Sequence, residues 1–398
     1  RLYSMKKSIY PLQIKSTFLF WLLLLPLSGC SGQQKVLPGA NSLEAHLDLF
    51  KNKSIGVVAH QASLVTPDED TLHLVDFMLK KELHLKRVFA PEHGFRGTAD
   101  AGEKIDDQKD PKTQLPIVSL YGNNRKPTQE QLQDLDLMVF DLQDVGVRFY
   151  TYLSTLHYVM EACAENNIPL LVLDRPNPNA HYVDGPVLEK EFSSFVGMHP
   201  VPIVYGMTIG EYAQMINGEG WLSGAIACDL IVIPISNYTH QTAYEVPVRP
   251  SPNLPNAQSI ALYPSLCLLE PTVFSVGRGT SKQFQLYGHP KYKKPSFQFT
   301  PAPNFGSKSP KHNGELCYGV DLTSTPHPTQ IELQWLMDAY NHFPEKESFF
   351  LTGFERISGT GALRKQIQEG LSEETIRASW KAPLDVFKTK RKKYLIYP

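Results

Sequence analysis

The chain has 398 residues, with 39 Lys and Arg against 40 Asp and Glu, a formal net charge of -1. Hydrophobic residues make up 42% and charged residues 20%, which excludes a disordered chain and supplies ample apolar material for a core. The near-zero charge argues against nucleic acid as the main partner, since phosphate-binding surfaces show an excess of Lys and Arg.

The first segment reads as an address. Met5 looks like the natural start, and Lys6, Lys7 and Lys15 form a positive region. An apolar run from Thr17 to Pro26 follows, too short for an ordinary spanning helix. It ends in Leu27-Ser28-Gly29-Cys30, which resembles the bacterial lipobox, where the Cys is acylated and becomes the first mature residue. We therefore expect a signal peptide over 1–29, a polar tether over 30–45 and a lipid anchor on Cys30. Removing 1–29 leaves 35 bases against 40 acids, so the mature chain is acidic. The envelope permits disulfides. The remaining Cys163, Cys228, Cys267 and Cys317 are widely spaced, though, and read as buried free thiols rather than a zinc or redox motif.

Six short apolar runs then alternate with helical patterns: Ser54–His60, Lys86–Ala90, Pro116–Tyr121, Leu137–Leu142, Pro169–Asp174 and Asp229–Ile235. Their near-continuous Val, Ile, Leu and Phe predict strands buried on both faces. Helices are predicted over Thr71–Leu83 and Thr151–Asn166, and from the capping box Thr208-x-x-Glu211 through Asn217. This is an α/β pattern with a Rossmann-like, mainly parallel sheet over residues 46–245. Residues 246–398 read as a smaller C-terminal α/β domain. Its helices are expected over Thr329–His342, opened by the capping box Thr329-x-x-Glu332, and over Ser372–Trp380. The basic tail Lys388–Lys393 reads as a solvated surface, with an anionic glycan or lipid as its alternative contact.

In open parallel sheets, ligands bind beyond the carboxyl ends of the strands. Here those ends carry polar residues: His60, then Glu92, His93 and Arg96, then Asp141, Asp144, Arg148 and Tyr150, then Asp174, Arg175 and Asn177. Glu92 is the leading candidate. It follows an apolar strand and precedes a loop with Gly94 and Gly97, and a carboxyl set partly in apolar surroundings has a raised pKa and can donate a proton near neutrality. Asp141, Asp144 and Asp174 are possible second carboxylates. Arg148, Arg175 and Arg278 could hold an anionic group, or be spent on internal ion pairs. Tyr150, Tyr152 and Tyr263 could stack on a sugar ring. His60 and His93 could hold a metal with Glu92 or Asp141, but no tight metal spacing such as H-E-x-x-H exists. There is no G-x-S-x-G elbow, and no G-x-G-x-x-G after the first strand, so neither a serine hydrolase of that type nor a dinucleotide is implied.

Several of these stretches together resemble the exo-β-N-acetylmuramidase family, long known as a domain of unknown function. They are Ala90-Pro-Glu-His-Gly-Phe-Arg-Gly97, Asp141-Leu-Gln-Asp-Val-Gly-Val-Arg-Phe-Tyr-Thr-Tyr152 and Asp174-Arg-Pro-Asn-Pro178, followed by Val183-Asp-Gly-Pro186, Gly206-Met-Thr-Ile-Gly210, Pro252-Asn-Leu-Pro255 and Val276-Gly-Arg-Gly-Thr280. The resemblance covers roughly residues 50–398. It implies a Rossmann-like domain, a smaller C-terminal domain and an active site in the cleft between them. It further implies a glycosidase that removes N-acetylmuramic acid from the non-reducing end of peptidoglycan fragments, with no cofactor. The family's Glu of E-H-G falls on Glu92, and Asn253 and Thr280 join the candidate substrate contacts. Tyr205 departs from the His expected there in many members. The alternatives weighed are a metal-dependent carbohydrate deacetylase or other glycosidase, and a non-catalytic muropeptide-binding lipoprotein. The outer membrane is the expected location, since Ser31 is not the Asp typical of inner-membrane retention.

Overall fold

Successive residues of the strands point into different apolar cores. In the computed structural model, Ile55, Val57 and Ala59 pack into one cluster and Val58 into another. Leu137 and Val139 likewise oppose Met138 and Phe140, and Leu171 and Leu173 oppose Leu170 and Val172. A period of two with both faces covered is what makes the runs continuously apolar. The structure describes residues 2–7, 34–67, 70–96 and 108–398. The expected leader run, Cys30 and Gly97 lie outside the described residues.

The strands are β1 (Ile55–Ala59), β2 (Leu85–Ala90), β3 (Gln108–Lys109), β4 (Pro116–Ser119), β5 (Leu137–Asp141), β6 (Leu170–Leu173) and β7 (Leu230–Ile233). They form one seven-stranded sheet in the order β3-β4-β2-β1-β5-β6-β7. All neighbours are parallel except the β3–β4 edge pair. The chain therefore works outward from β1 to one side, then crosses back to β5 beside β1. The carboxyl ends of β1 and β5 flank the topological switch point, where open α/β sheets form a crevice.

Helix α1 (Leu74–Lys80) is shorter than predicted. Leu72–His73 pair instead with Leu64–Val65, and the His73 ring caps the helix by accepting the Val75 N–H. Helix α2 (Tyr152–Glu165) and helix α3 (Ile209–Gly218) sit where expected, α3 with both bonds of the Thr208–Glu211 capping box formed. Residues beyond 246 supply α4 (Ala257–Leu266), an antiparallel sheet of β8 (Leu286–His289), β9 (Phe297–Phe299) and β10 (Cys317–Asp321), then α5 (Leu333–His342) and α6 (Glu373–Arg391).

Two helix ends differ from expectation. The Thr329-x-x-Glu332 box does not form, because α5 starts at Leu333 with Glu332 as an uncapped N-cap. Tertiary partners take the nearby donors: Ile331 N–H binds Asp184 and Glu332 N–H binds Ser265. Helix α6 runs past Trp380 and through Pro383, because Ile376, Trp380, Leu384 and Phe387 continue one buried stripe. Its last turn carries part of the basic tail. There Lys390 pairs with Glu219 at 2.6 Å and the Arg391 Nε donates to the Gly206 carbonyl at 2.8 Å, so those two are engaged internally.

The larger apolar cluster joins Tyr152 and Met160 to Leu262, Phe274, Trp335 and Phe387, and Val36–Pro398 form a compact unit. Cys163, Cys228, Cys267 and Cys317 are buried free thiols within it. Among the described residues no helix is long and apolar enough to cross a membrane.

Candidate active site

Beside the switch point lies an open pocket. It is lined by Glu92, His93, Phe149, Tyr150, Thr151 and Tyr152, together with Ser251, Asn253, Leu254, Tyr263, Arg278 and Phe284. Of the sequence candidates, the fold brings together Glu92, His93, Tyr150, Tyr152, Asn253, Tyr263 and Arg278.

Glu92 enters from the loop after β2. That loop turns tightly: His93 and Gly94 both have left-handed φ, 72° and 80°, and the Gly94 N–H closes on the Pro91 carbonyl. The half-buried Glu92 carboxylate accepts the Thr151 hydroxyl at 2.8 Å. The Tyr121 hydroxyl also bonds to it, and burial together with that neighbouring charge pushes the Tyr121 pKa up to about 12. Neither Thr151 nor Tyr121 stood out in the sequence. Thr151 had a faint signal, as it sits at the N-cap of α2 directly after the Phe149-Tyr150 stretch.

His60 lies behind the wall, fully buried. Its Nε2 accepts the Gln143 N–H at 2.9 Å, so Nδ1 carries the proton and faces the Tyr152 hydroxyl at 3.0 Å. Burial, with the Arg175 charge and the nearby His73 and His93, holds its pKa well below the ordinary value. His60 therefore supports Tyr152 rather than lining the pocket.

Several expected contacts are corrected by burial. Arg148 was a candidate for an anionic substrate group, but it is sealed in the interior. It donates to the carbonyls of Pro186 and Val201 at 2.8 Å and of Ile357 and Ser358 at 3.0 and 2.9 Å, and burial lowers its pKa to about 9. Asp141 and Arg175 neutralise each other through two bonds of 2.6 and 2.8 Å, so neither is available as second carboxylate or anion receptor. Burial alone would lower the Arg175 pKa, but Asp141 outweighs it and the pKa is raised. Asp144 accepts the Gly146 N–H at 2.6 Å and the Tyr205 hydroxyl, off the pocket lining. That contact also accounts for Tyr205, which is buried against Asp144 and does not line the pocket.

Asp174 anchors the chain rather than a ligand. It takes bonds from Thr208 (2.7 Å), Gly210 N–H (2.8 Å) and Tyr397 (2.6 Å), and burial raises its pKa to about 6 against those donors. Asn177 is likewise consumed by the Met207 carbonyl and Asn179 N–H, both at 2.8 Å. Arg96 pairs with Asp110 at 2.7 Å, and Thr280 closes its own turn on the Gly277 carbonyl at 2.7 Å. Arg278 does line the pocket, and is held there by Glu270 at 2.7 Å, a partner the sequence did not point to. Among the described residues no group of three His, Cys, Asp or Glu side chains is placed to hold a metal ion.

This arrangement offers one half-buried carboxylate among aromatic rings, with one arginine on the same lining. It can protonate a leaving oxygen and bind an amphipathic, anionic ring. The comparisons with known proteins point the same way. Residues 55–258 match the N-terminal model and 261–397 the C-terminal model of the exo-β-N-acetylmuramidase NamZ family. The chain is 40% identical over 370 residues to the peptidoglycan β-N-acetylmuramidase NamZ of Bacillus subtilis (strain 168), covering 87% of this chain and 88% of that one. Crystal structures of two DUF1343-family proteins from Bacteroides fragilis NCTC 9343 share the fold. One has a TM-score of 0.84 at 43% identity and the other 0.78 at 26%, each covering 91% of this chain and 99% of its own. Both matched segments contribute lining residues to the pocket, and the chain belongs to the NamZ family of exo-β-N-acetylmuramidases.

Proposed function

We propose that the protein is a glycoside hydrolase that releases N-acetylmuramic acid from the non-reducing end of peptidoglycan fragments, with Glu92 as the general acid. The observation that carries this reading is the placement of Glu92. It is the only carboxylate among the described residues that line the pocket, and two hydroxyls orient it. Glu92 passes its proton to the glycosidic oxygen as the bond to the anomeric carbon breaks. Glycosidases commonly use a second carboxyl, but some let the substrate's own acetamido group attack instead. With Asp141 and Asp144 withdrawn from the pocket, the described lining supports the acetamido route. Arg278 is the only Lys or Arg on that lining, which suits the lactyl carboxylate of N-acetylmuramic acid.

The test is release of free N-acetylmuramic acid from a MurNAc-GlcNAc disaccharide. Glu92→Gln keeps the shape and removes the acid, so the rate should fall about 100- to 10,000-fold. Equal activity in the variant would overturn the assignment.

We also propose that the protein acts at the cell envelope, held by a lipid on Cys30 and seated in the outer membrane. The ordered charge, apolar run and lipobox support this. Labelled palmitate should enter the wild type and not Cys30→Ala; equal labelling would count against it.

A further inference from the structure

We infer that Asn253 recognises the acetamido N–H of the sugar in this pocket. The inference rests on the glycosidase reading above and adds to it the group that selects a 2-acetamido sugar. Asn253 lines the pocket yet is only 1% exposed. Its Nδ2 donates to the Gly306 carbonyl at 2.6 Å. A carbonyl can accept only from the amide nitrogen, so the side chain cannot be turned round and its Oδ1 position is fixed. Gly306 makes room for this seat. Its φ is 93°, and a Cβ there would lie 2.7 Å from the Pro252 Cβ and 3.2 Å from the Asn253 Nδ2.

The Oδ1 itself has no hydrogen-bond partner in the protein. A buried amide oxygen left unpaired is uncommon and needs an explanation. Three of the lining hydroxyls direct their protons elsewhere. Tyr150 donates to the Pro250 carbonyl at 2.9 Å, Thr151 donates to Glu92, and Tyr152 has the same Pro250 carbonyl as acceptor at 3.3 Å. Asn253 thus brings to the lining a fixed oxygen that can only accept and that no protein donor fills. Sugar hydroxyls both donate and accept, and any of these oxygens can satisfy them. An acetamido N–H only donates, so it is the group for which an acceptor-only oxygen discriminates. A site built this way rejects an analogue that lacks the donor, because its own buried oxygen then stays unpaired.

Calorimetric titration of the wild-type protein with N-acetylmuramic acid, and with its 2-acetoxy counterpart in which oxygen replaces the N–H, tests this. The acetoxy sugar should bind about 10- to 100-fold more weakly. In Asn253→Ala the two sugars should bind within about twofold of each other, a change of ratio that a general loosening of the pocket would not produce. Equal binding of both sugars by the wild type overturns the inference, and does so even if the variant fails to fold. An undiminished preference in Asn253→Ala also overturns it. Failure of the function itself reads differently: a wild type that binds neither sugar and releases none from the disaccharide removes both readings. One that hydrolyses the disaccharide without discriminating removes only this one.

Discussion

Burial withdraws Asp144 from water, and the Gly146 N–H and Tyr205 hydroxyl that reach it do not fully replace the lost solvation, so its pKa rises to about 7. Once unfolded, the same carboxyl titrates near its ordinary value of 3.8. The native state therefore keeps a proton that the unfolded chain gives up. Its stabilising contribution is full below the unfolded value and is lost as the pH climbs through the folded one. Asn at this position imitates the protonated acid, keeps an oxygen for Gly146 and Tyr205, and does not titrate. Asp144→Asn should therefore shrink the loss of unfolding free energy between about pH 5 and pH 8 by about 2–3 kcal/mol. Urea unfolding at the two pH values measures it, and an unchanged difference would show that Asp144 ionises in the native state as it does in water. Asp174 acts in the same direction over a narrower window, its raised pKa lying at about 6.

At the scale of elements, the end of the chain works as a clasp on the sheet. The N–H groups of Ile396 and Tyr397 bind Glu211 at 2.8 and 3.2 Å, and the Pro398 carbonyl accepts the His240 N–H at 3.0 Å. The Tyr397 hydroxyl donates to Asp174 at the end of β6 and accepts the Ile235 N–H at 2.9 Å just after β7. Glu211 closes the arrangement from α3, where it also completes the capping box and holds His240 at 2.9 Å. Tyr397→Phe keeps the ring and leaves the Ile235 N–H without its acceptor, so it should cost about 1–3 kcal/mol in urea unfolding. Turnover should be retained, since none of these groups lines the pocket. Unchanged stability would mean that the tail merely rests on the sheet.

For the whole molecule, the apolar cluster that joins α2 to Phe274, Trp335 and Phe387 ties the two matched segments through one shared core, while the cluster on the other face of the sheet comes from residues up to Ile233 alone. Trp221 lies in the first segment and Trp335 and Trp380 in the second, so single-tryptophan variants would report on each in turn. Their fluorescence transitions in denaturant should coincide with one another and with loss of activity, as in a two-state unfolding. Separate midpoints would show two independently stable bodies. The same continuity explains what could be read in advance. The parallel sheet was legible because a strand buried on both faces must be apolar at every position. The α3 capping box was legible because its bonds run within four residues, and Glu92 because a carboxylate between an apolar strand and a Gly turn is locally out of place. The α5 box had the same local signature and failed where tertiary partners took the nearby donors. Local sequence also could not distinguish a charge that faces a ligand from one that is neutralised inside. Arg148 and Arg278 look alike in their motifs, yet one is spent on four carbonyls and the other lines the pocket beside Glu270. Composition and periodicity alone determined the layers of this protein. Which polar groups remain for chemistry was decided only by the tertiary structure, because their partners, up to 223 residues away, arrive only when the chain has folded.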